Sequence, residues 1–449
     1  MRTVAFISEH ASPLAVLGGV DNGGQNVYVA ELSRELAGSG YCVDVYTRKE
    51  SRRQPEIVEW LPGIRVIHIK AGPEEPVQKE SLLPHMNEFT DNMLQFIRRQ
   101  QVHYSLMHAH FFMSALVASA IKKILRVPYV VTFHALGLVR RAHQKEMDKF
   151  PPERCSIEKY IVDDADRLIA ECPQDRMDLI KYYKADPEKI SIVPCGFNPD
   201  EFRPYDRQAA RKKLSLPVHE KILLQLGRMV PRKGVDNVIR ALARLRADER
   251  KIRLVVVGGN SDQPDPSLTP EIGRLLQVAR EEGVAHRVQF VGRKERLVLP
   301  YYYAAADLFV TTPWYEPFGI TPLEAMACGI PVVGSRTGGV KYSVAEGKTG
   351  FLVPPKDPDS LARKICQLLD DPLLAEKMGK NAIRRVHKLF TWKKVSQQIA
   401  DVYEVVDRQV RREQMLRHRS FREKEIFSLH AAGTMLRQPF FPAFNIPGS

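Results

Sequence analysis

The segment "WYEPFGITPLEAMACG", Trp314 to Gly329, carries two carboxylates eight positions apart, Glu316 and Glu324, directly behind the strand-like run "DLFVTT" at 307–312. Pro317 and Gly319 favour a turn between them, with a helix starting near Thr321. Such a turn frees the N–H groups of Phe318, Gly319, Ile320 and Thr321 as donors to hydroxyl or phosphate oxygens. The two carboxylates can accept hydrogen bonds from vicinal hydroxyls on two different rings. Acidic residues at a helix start also complement the helix dipole, which is the plainer account of the same pattern.

Three further stretches come directly after strand-like runs. "GRMVPRKG" places Arg228 and Lys233 five apart after the run 221–227. The planar fork of Arg and the point charge of Lys can clamp a diphosphate, although a solvated basic loop has the same composition. "TFHALG" leaves His134 at the end of the run 129–135, where it can reach a ligand or simply fill the core. "GGVDNGGQNVY" has glycine pairs at 18–19 and 23–24 and a helix starting at Asn26, which suits close approach to phosphate. It is not the spacing G-x-G-x-x-G, and no acidic residue ends the next run "CVDVYT", so a nicotinamide-dependent oxidoreductase is disfavoured.

What positions these residues is an alternation of short β-branched runs with helical patterns. Runs at 3–8, 42–47, 64–69, 105–110, 129–135, 167–171 and 189–196 make a first half. Runs at 221–227, 253–259, 287–292, 307–312, 331–335 and 350–355 make a second, with helices expected at 234–247, 268–282, 296–306, 320–328, 359–370 and 372–388. Strands alternating with helices predict parallel sheets covered on both faces, with ligands beyond the carboxyl ends of the strands. The expected fold class is α/β, two Rossmann-like domains facing a cleft, over 1–198 and 199–390. A helix over 391–411 would cross back to the first domain, and 412–449 would form a basic tail.

The charge of +14 is uneven: from Arg408 onward eight Lys/Arg face three Asp/Glu, which leaves +9 on the body. A basic body suits a phosphorylated ligand, an anionic membrane surface or nucleic acid, and no nucleic-acid motif is present. The stretch from Arg412 reads first as a basic helix and then, from Arg437, as irregular chain. It is either a plain appendage or an element with peripheral membrane or partner contact. Six scattered cysteines without C-x-x-C argue against a zinc site and fit a reducing cytoplasm. The opening "MRTVAFISEHASP" is too polar for a secretory leader, and no apolar run reaches the ~18 residues of a membrane span.

Together, "NGGQNVYV", "HAHFF", "TFHALG", "PCGFN", "GRMVPRKG", "EPFGITPLEAMACGIPVVGSRTGGV" and "GKTGFLVPPKD" resemble the retaining glycosyltransferases of family 4, which have the glycosyltransferase B fold. Within them, the chain is similar to the branch of sucrose-phosphate synthase, sucrose synthase and the mycothiol-pathway glycosyltransferases, from Val4 to about Val406. The resemblance implies that Glu324 holds the ribose of a nucleotide sugar, with UDP favoured over GDP or ADP. Glu316 and the backbone of Phe318, Gly319 and Ile320 would hold the donor hexose. Arg228 and Lys233 would neutralise the diphosphate with help from Gly24 and Thr321. Arg293, with Lys294, would border the base. His134 would contact the sugar at the reacting carbon. Asn26, Lys79, His110 and Arg154 would face the acceptor, a hydroxyl compound such as a phosphorylated sugar or cyclitol. Phe111 and Ala135 stand where hydroxyl side chains would serve a phosphate. No metal or other cofactor is implied. The alternatives are a non-catalytic nucleotide-sugar-binding protein and a sugar-nucleotide epimerase of the same fold.

Overall fold

The structure, a computed structural model, describes residues 2–15, 23–145, 148–245 and 251–435, with side chains as far as 416. Gly18 and Gly19, the end of the helix expected over 234–247, and the irregular run from Arg437 lie outside the described residues. The chain divides into two units, Met1–Val402 and Tyr403–Ser449.

The first unit holds two sheets. One is built from β1 (Arg2–Ile7), β2 (Tyr41–Arg48), β3 (Ile57–Leu61), β4 (Ile64–Ile69), β5 (Leu106–His110), β6 (Tyr129–Thr132), β7 (Arg167–Ala170) and β8 (Ile190–Ile192). The other comprises β9 (Lys221–Leu226), β10 (Ile252–Val257), β11 (Val288–Phe290), β12 (Leu308–Thr311), β13 (Val332–Ser335) and β14 (Gly350–Val353). Their orders are β3-β4-β2-β1-β5-β6-β7-β8 and β11-β10-β9-β12-β13-β14. All pairings are parallel except β3 with β4.

Parallel strands are covered on both faces, which explains their uninterrupted apolar runs. Val4 to Ile7 in β1 and Leu254 to Val257 in β10 are buried throughout. The covering helices obey the complementary rule. In Val235–Arg244, residues Val235, Val238, Ile239 and Leu242 recur at helical spacing and are buried, while Arg240 and Arg244 pair with acidic side chains at the surface. β3 has no counterpart among the expected strands. It forms an antiparallel hairpin with β4 across Pro62 and Gly63, and that Pro-Gly pair is its local signal.

Two features of the topology shape the cleft. Strand order reverses between β1 and β5 in the first sheet and between β9 and β12 in the second. At such points the loops diverge and leave a crevice. Several strands also stop earlier than their apolar runs. The sheet ends at Thr132, Ile192 and Val257, whereas the runs extend to 135, 196 and 259.

The chain passes between the two sheets twice, and the passes are bonded to each other. Phe197 N–H donates to Phe390 O at 2.8 Å, and Trp392 N–H donates to Phe197 O at 3.2 Å. Trp392 opens the last helix, Trp392–Met435, in which the helix expected over 391–411 and the basic helix read from Arg412 are continuous. Its buried indole stands edge-on to Tyr28 of the first sheet's helix Gly24–Gly38, with ring centres 5.4 Å apart.

Candidate active site

The crevice between β9 and β12 gathers the charged residues that the sequence singles out. Behind β9 the chain makes a short turn, Pro231–Lys233, and then Gly234 at φ +66. Gly234 packs directly on the end of β12: a Cβ there would lie 2.0 Å from Thr312 O, and Thr312 Oγ1 donates to Gly234 O at 2.8 Å. Only glycine permits both the left-handed backbone and that approach. The consequence is that Lys233 Nζ hydrogen-bonds Glu316 directly. Arg232 Nη1 sits 3.4 Å from the same carboxylate and donates to Tyr315 O at 3.0 Å. From the far side Gly338, at φ +46, supports the backbone of Glu316; a Cβ there would fall 1.7 Å from Glu316 O.

The electrostatics arise from this packing. Burial alone raises the Glu316 carboxyl, but Lys233, Arg232 and Arg228 outweigh it and hold the group at about 2. Burial and the neighbouring guanidinium groups push Lys233 down to about 8, against the pull of Glu316. Glu316 is therefore ionised at neutral pH, and Lys233 carries its proton only a little above it.

Glu324 lies on the helix Thr321–Ala327 and is buried. Tyr303 OH donates to its Oε2 at 2.8 Å, and Arg296 Nη1 stands 3.6 Å from Oε1. Burial raises the Glu324 carboxyl, and Arg296 opposes that. Arg296 is shared: its Nε donates to Glu201 at 2.6 Å, and its Nη2 is 3.9 Å from Glu31 of the first sheet's helix Gly24–Gly38.

These groups line one cleft of about 270 Å³ in the first unit. Gly24, Lys79, His134, Arg228, Lys233, Arg293, Lys294, Glu316, Phe318, Gly319, Ile320, Thr321 and Glu324 all border it, as do Phe111 and Ala135. Three expected residues do not. Asn26 is buried and holds the turn into its helix, accepting from Gly23 N–H at 2.9 Å and donating to Ser12 O at 3.0 Å. His110 is fully buried behind His134, its Nδ1 3.1 Å from His134 Nε2, and burial together with His108 and His134 keeps it neutral. Arg154 is buried too. It donates to Glu158 at 2.7 Å and to Ala135 O, and its guanidinium lies over the rings of Phe111, Phe112 and Phe150. The aromatic residues that cage it take it off the cleft wall.

His134 takes the left-handed backbone conformation, φ +57, and borders the cleft. Its Nδ1 meets Glu171 Oε1 at 2.9 Å, so both ring nitrogens are engaged, one by Glu171 and one by His110. Glu171, Arg232 and Arg296 are additions to the expected set, and all three border the cleft. Glu171 ends the strand-like run "RLIAE", where position alone is the signal, and Arg232 stands inside "PRKG", beside cations already read as a diphosphate clamp. Arg296 and Tyr303 carry no local signal, because their partner Glu324 is distant in sequence.

The lysine also sets a pH dependence. An anionic ligand beside Lys233 restores its proton, so binding takes up a proton at pH values above about 8. Affinity for a diphosphate ligand is expected to be flat near pH 7 and to fall by about two- to fivefold by pH 9, within the limited share the ammonium has in ground-state binding. Calorimetric titration in two buffers of different ionisation enthalpy measures both the fall and the proton uptake. A constant affinity up to pH 9 would show that Lys233 stays away from the ligand.

Two parallel sheets facing a cleft, with cations and carboxylates at the switch points, define the glycosyltransferase B fold. Residues 206–385 match the model of the glycosyl transferases group 1, and residues 22–201 that of glycosyltransferase family 4. The chain is 36% identical over 406 residues to the D-inositol 3-phosphate glycosyltransferase of Corynebacterium glutamicum, covering 89% of this chain and 96% of that one. It is 39% identical over 411 residues to D-inositol 3-phosphate glycosyltransferase 2 of Catenulispora acidiphila, covering 90% and 94%. The sucrose-phosphate synthase of Thermosynechococcus elongatus superposes with a TM-score of 0.83 at 34% identity, covering 90% of this chain and 99% of that one. The Anabaena protein HepE, solved with UDP-glucose, shares the fold at a TM-score of 0.71 and 20% identity, covering 90% and 100%. The chain belongs to the group 1, family 4 glycosyltransferases and is an enzyme of glycosyl transfer.

Proposed function

We propose that the protein moves a hexose from a UDP-sugar to a hydroxyl of a phosphorylated sugar or cyclitol, with retention of configuration and without a metal. The observation that carries this reading is the cluster of Arg228, Arg232 and Lys233 around Glu316 at the second sheet's switch point. When the bond from sugar to diphosphate breaks, negative charge grows on the leaving phosphate. Cations already fixed in a partly dry cleft stabilise that charge without reorganising. They supply the charge that a metal would bring, so the reading assigns none. In this reading Glu324, buried and hydrogen-bonded by Tyr303, accepts from ribose hydroxyls, and Glu316 accepts from the hexose. The leaving phosphate takes the acceptor's proton on the same face.

Two observations support a phosphorylated acceptor. Lys79 and Arg140 border the first-sheet side of the cleft. The relatives from Corynebacterium glutamicum and Catenulispora acidiphila are D-inositol 3-phosphate glycosyltransferases. Phe111 and Ala135 bring no hydroxyl to that wall and Arg154 is held inside, so the basic pair carries the phosphate in this reading.

The test is a panel of UDP-, GDP- and ADP-glucose in the presence of a chelator. Thermal stabilisation is followed for wild type and Glu324→Ala, and transfer is assayed to phosphorylated and plain acceptors. A UDP-sugar at 100 times its Kd is expected to stabilise the wild type by about 2.7 kcal/mol and the variant by far less. Phosphorylated acceptors should be preferred. If no nucleotide sugar stabilises the protein, the donor assigned here is wrong and the proposal fails.

A further inference from the structure

Glu316 belongs to the loop after β12 of the second sheet, yet the residues on either side of it are held from the first sheet's side of the cleft. Tyr315 is buried in the apolar cluster that packs on the first sheet. Among the described residues it is the one member of that cluster from the second half of the chain. Its ring stacks on His143 of the helix Gly137–Gln144, with centres 5.4 Å apart and planes 12° from parallel. Its hydroxyl end meets the backbone of Leu136, directly before that helix. On the other side of Glu316, Pro317 O accepts from the thiol of Cys172 at 3.4 Å, where the helix Pro173–Tyr183 begins. The same helix makes a further tie across the cleft: Lys341 Nζ donates to Gln174 Oε1 at 3.3 Å.

The carboxylate between these anchors is bonded by its own side instead, by Lys233 and Arg232. Residues 315–317 are thus stitched to both walls at once. Planar peptide units leave three consecutive residues few soft dihedrals. With the ring of Tyr315 and the carbonyl of Pro317 both fixed from the first sheet's side, the backbone of Glu316 is fixed with them. A ring kept only for its apolar area has its own sheet's core available. Crossing to the other core makes the place of Glu316 depend on both halves of the chain, and a large flat ring defines that place closely.

We propose that Tyr315 is a positioning residue for the donor hexose: its ring, seated in the first sheet's core, sets where Glu316 stands, so that the hexose subsite is complete only when both halves of the chain are in place. The inference rests on the reading above, in which Glu316 accepts from the hexose. The diphosphate and the ribose are served in that reading by Arg228, Lys233 and Glu324, whose backbones lie outside this loop.

The test is calorimetric titration of the full chain with UDP and with UDP-glucose. Tyr315→Ala is expected to weaken UDP-glucose at least fivefold and UDP less than twofold, because the hexose alone depends on Glu316. Tyr315→Phe keeps the stacked ring and should bind both ligands within twofold of wild type. A ring that only stabilises the fold lowers the melting temperature of Tyr315→Ala while both affinities hold or fall alike, and either pattern overturns the proposal. So does a Tyr315→Phe that is as weak toward UDP-glucose as Tyr315→Ala. Should Tyr315→Ala fail to fold, Tyr315→Leu, which fills part of the seat without a flat ring, takes its place under the same criteria. If the wild type binds neither ligand, the donor reading fails and this proposal with it, whereas a failure confined to the variants leaves that reading standing.

Discussion

Replacing Lys233 with methionine is expected to lower kcat by about 10² to 10³ while the donor KM changes by less than about tenfold. In the structure the ammonium faces Glu316 and not an open surface, so it is held in place before substrate arrives. Its contribution to ground-state binding is limited, because Arg228 and Arg232 line the same cleft and remain in the variant. Charge on the leaving phosphate is larger in the transition state, and a fixed cation removed there costs about 3 to 4 kcal/mol. Methionine keeps the length of the stem, so the loss reports charge and not packing. Steady-state kinetics with the nucleotide sugar that stabilises the protein separates kcat from KM. Near-normal turnover would remove Lys233 from the chemistry. The same variant frees Glu316 from its closest partner, and its carboxyl should rise from about 2 toward the ordinary range.

The second large effect concerns Arg296. Three carboxylates, Glu31, Glu201 and Glu324, share this guanidinium, and burial pushes both Glu31 and Glu324 up. Arg296→Leu keeps an apolar side chain over Phe202 but takes the cation away from all three, leaving Glu324 with Tyr303 and Glu31 with Arg34. Removing one partner of a buried ionic cluster costs about 3 to 5 kcal/mol. In a unit of this size the melting temperature should fall by roughly 5 °C. Binding should suffer as well. Without Arg296 the Glu324 carboxyl rises further and is more often protonated, so it donates where it should accept. A nucleotide sugar should therefore bind more weakly, and the deficit should be larger at pH 6 than at pH 8. Calorimetric melting and titration at the two pH values measure both effects. An unchanged melting temperature with unchanged affinity would mean that Tyr303 alone holds Glu324.

Much of this molecule is written locally. The alternating runs mark the parallel strands, since each strand is buried on both faces and must be apolar throughout. Where those runs overshoot the sheet is more telling. His134, Ala135, Cys195 and Gly258 read as strand residues, yet all four sit beyond the strand ends and border the cleft. Apolar composition cannot mark where a strand stops, because the crevice beyond it is half-buried too. The carboxylates and cations are legible because turn residues sit beside them. Asn26, His110 and Arg154 show the opposite limit. Their residue types suit an acceptor site, but whether a side chain faces a cleft or a neighbouring helix is decided by tertiary packing. Arg154 is aimed by Glu158 and by three phenylalanines that no local pattern ties to it. The hub at Arg296 is illegible for the same reason.

The paired crossings at Phe197 and Trp392 also have a mechanical meaning. A single connection between two bodies leaves each free to swivel, tilt and drift. Two connections laced together by backbone bonds leave essentially one freedom, rotation about the line of the lacing. Any opening of the cleft that preserves those two bonds is thus a swing on a pivot, in which the walls separate and return along one arc. Were the cleft to close on its substrates in that way, the entropy lost would be largely that of one angle, and Lys79 and Lys233, which line the same cleft, would keep one register.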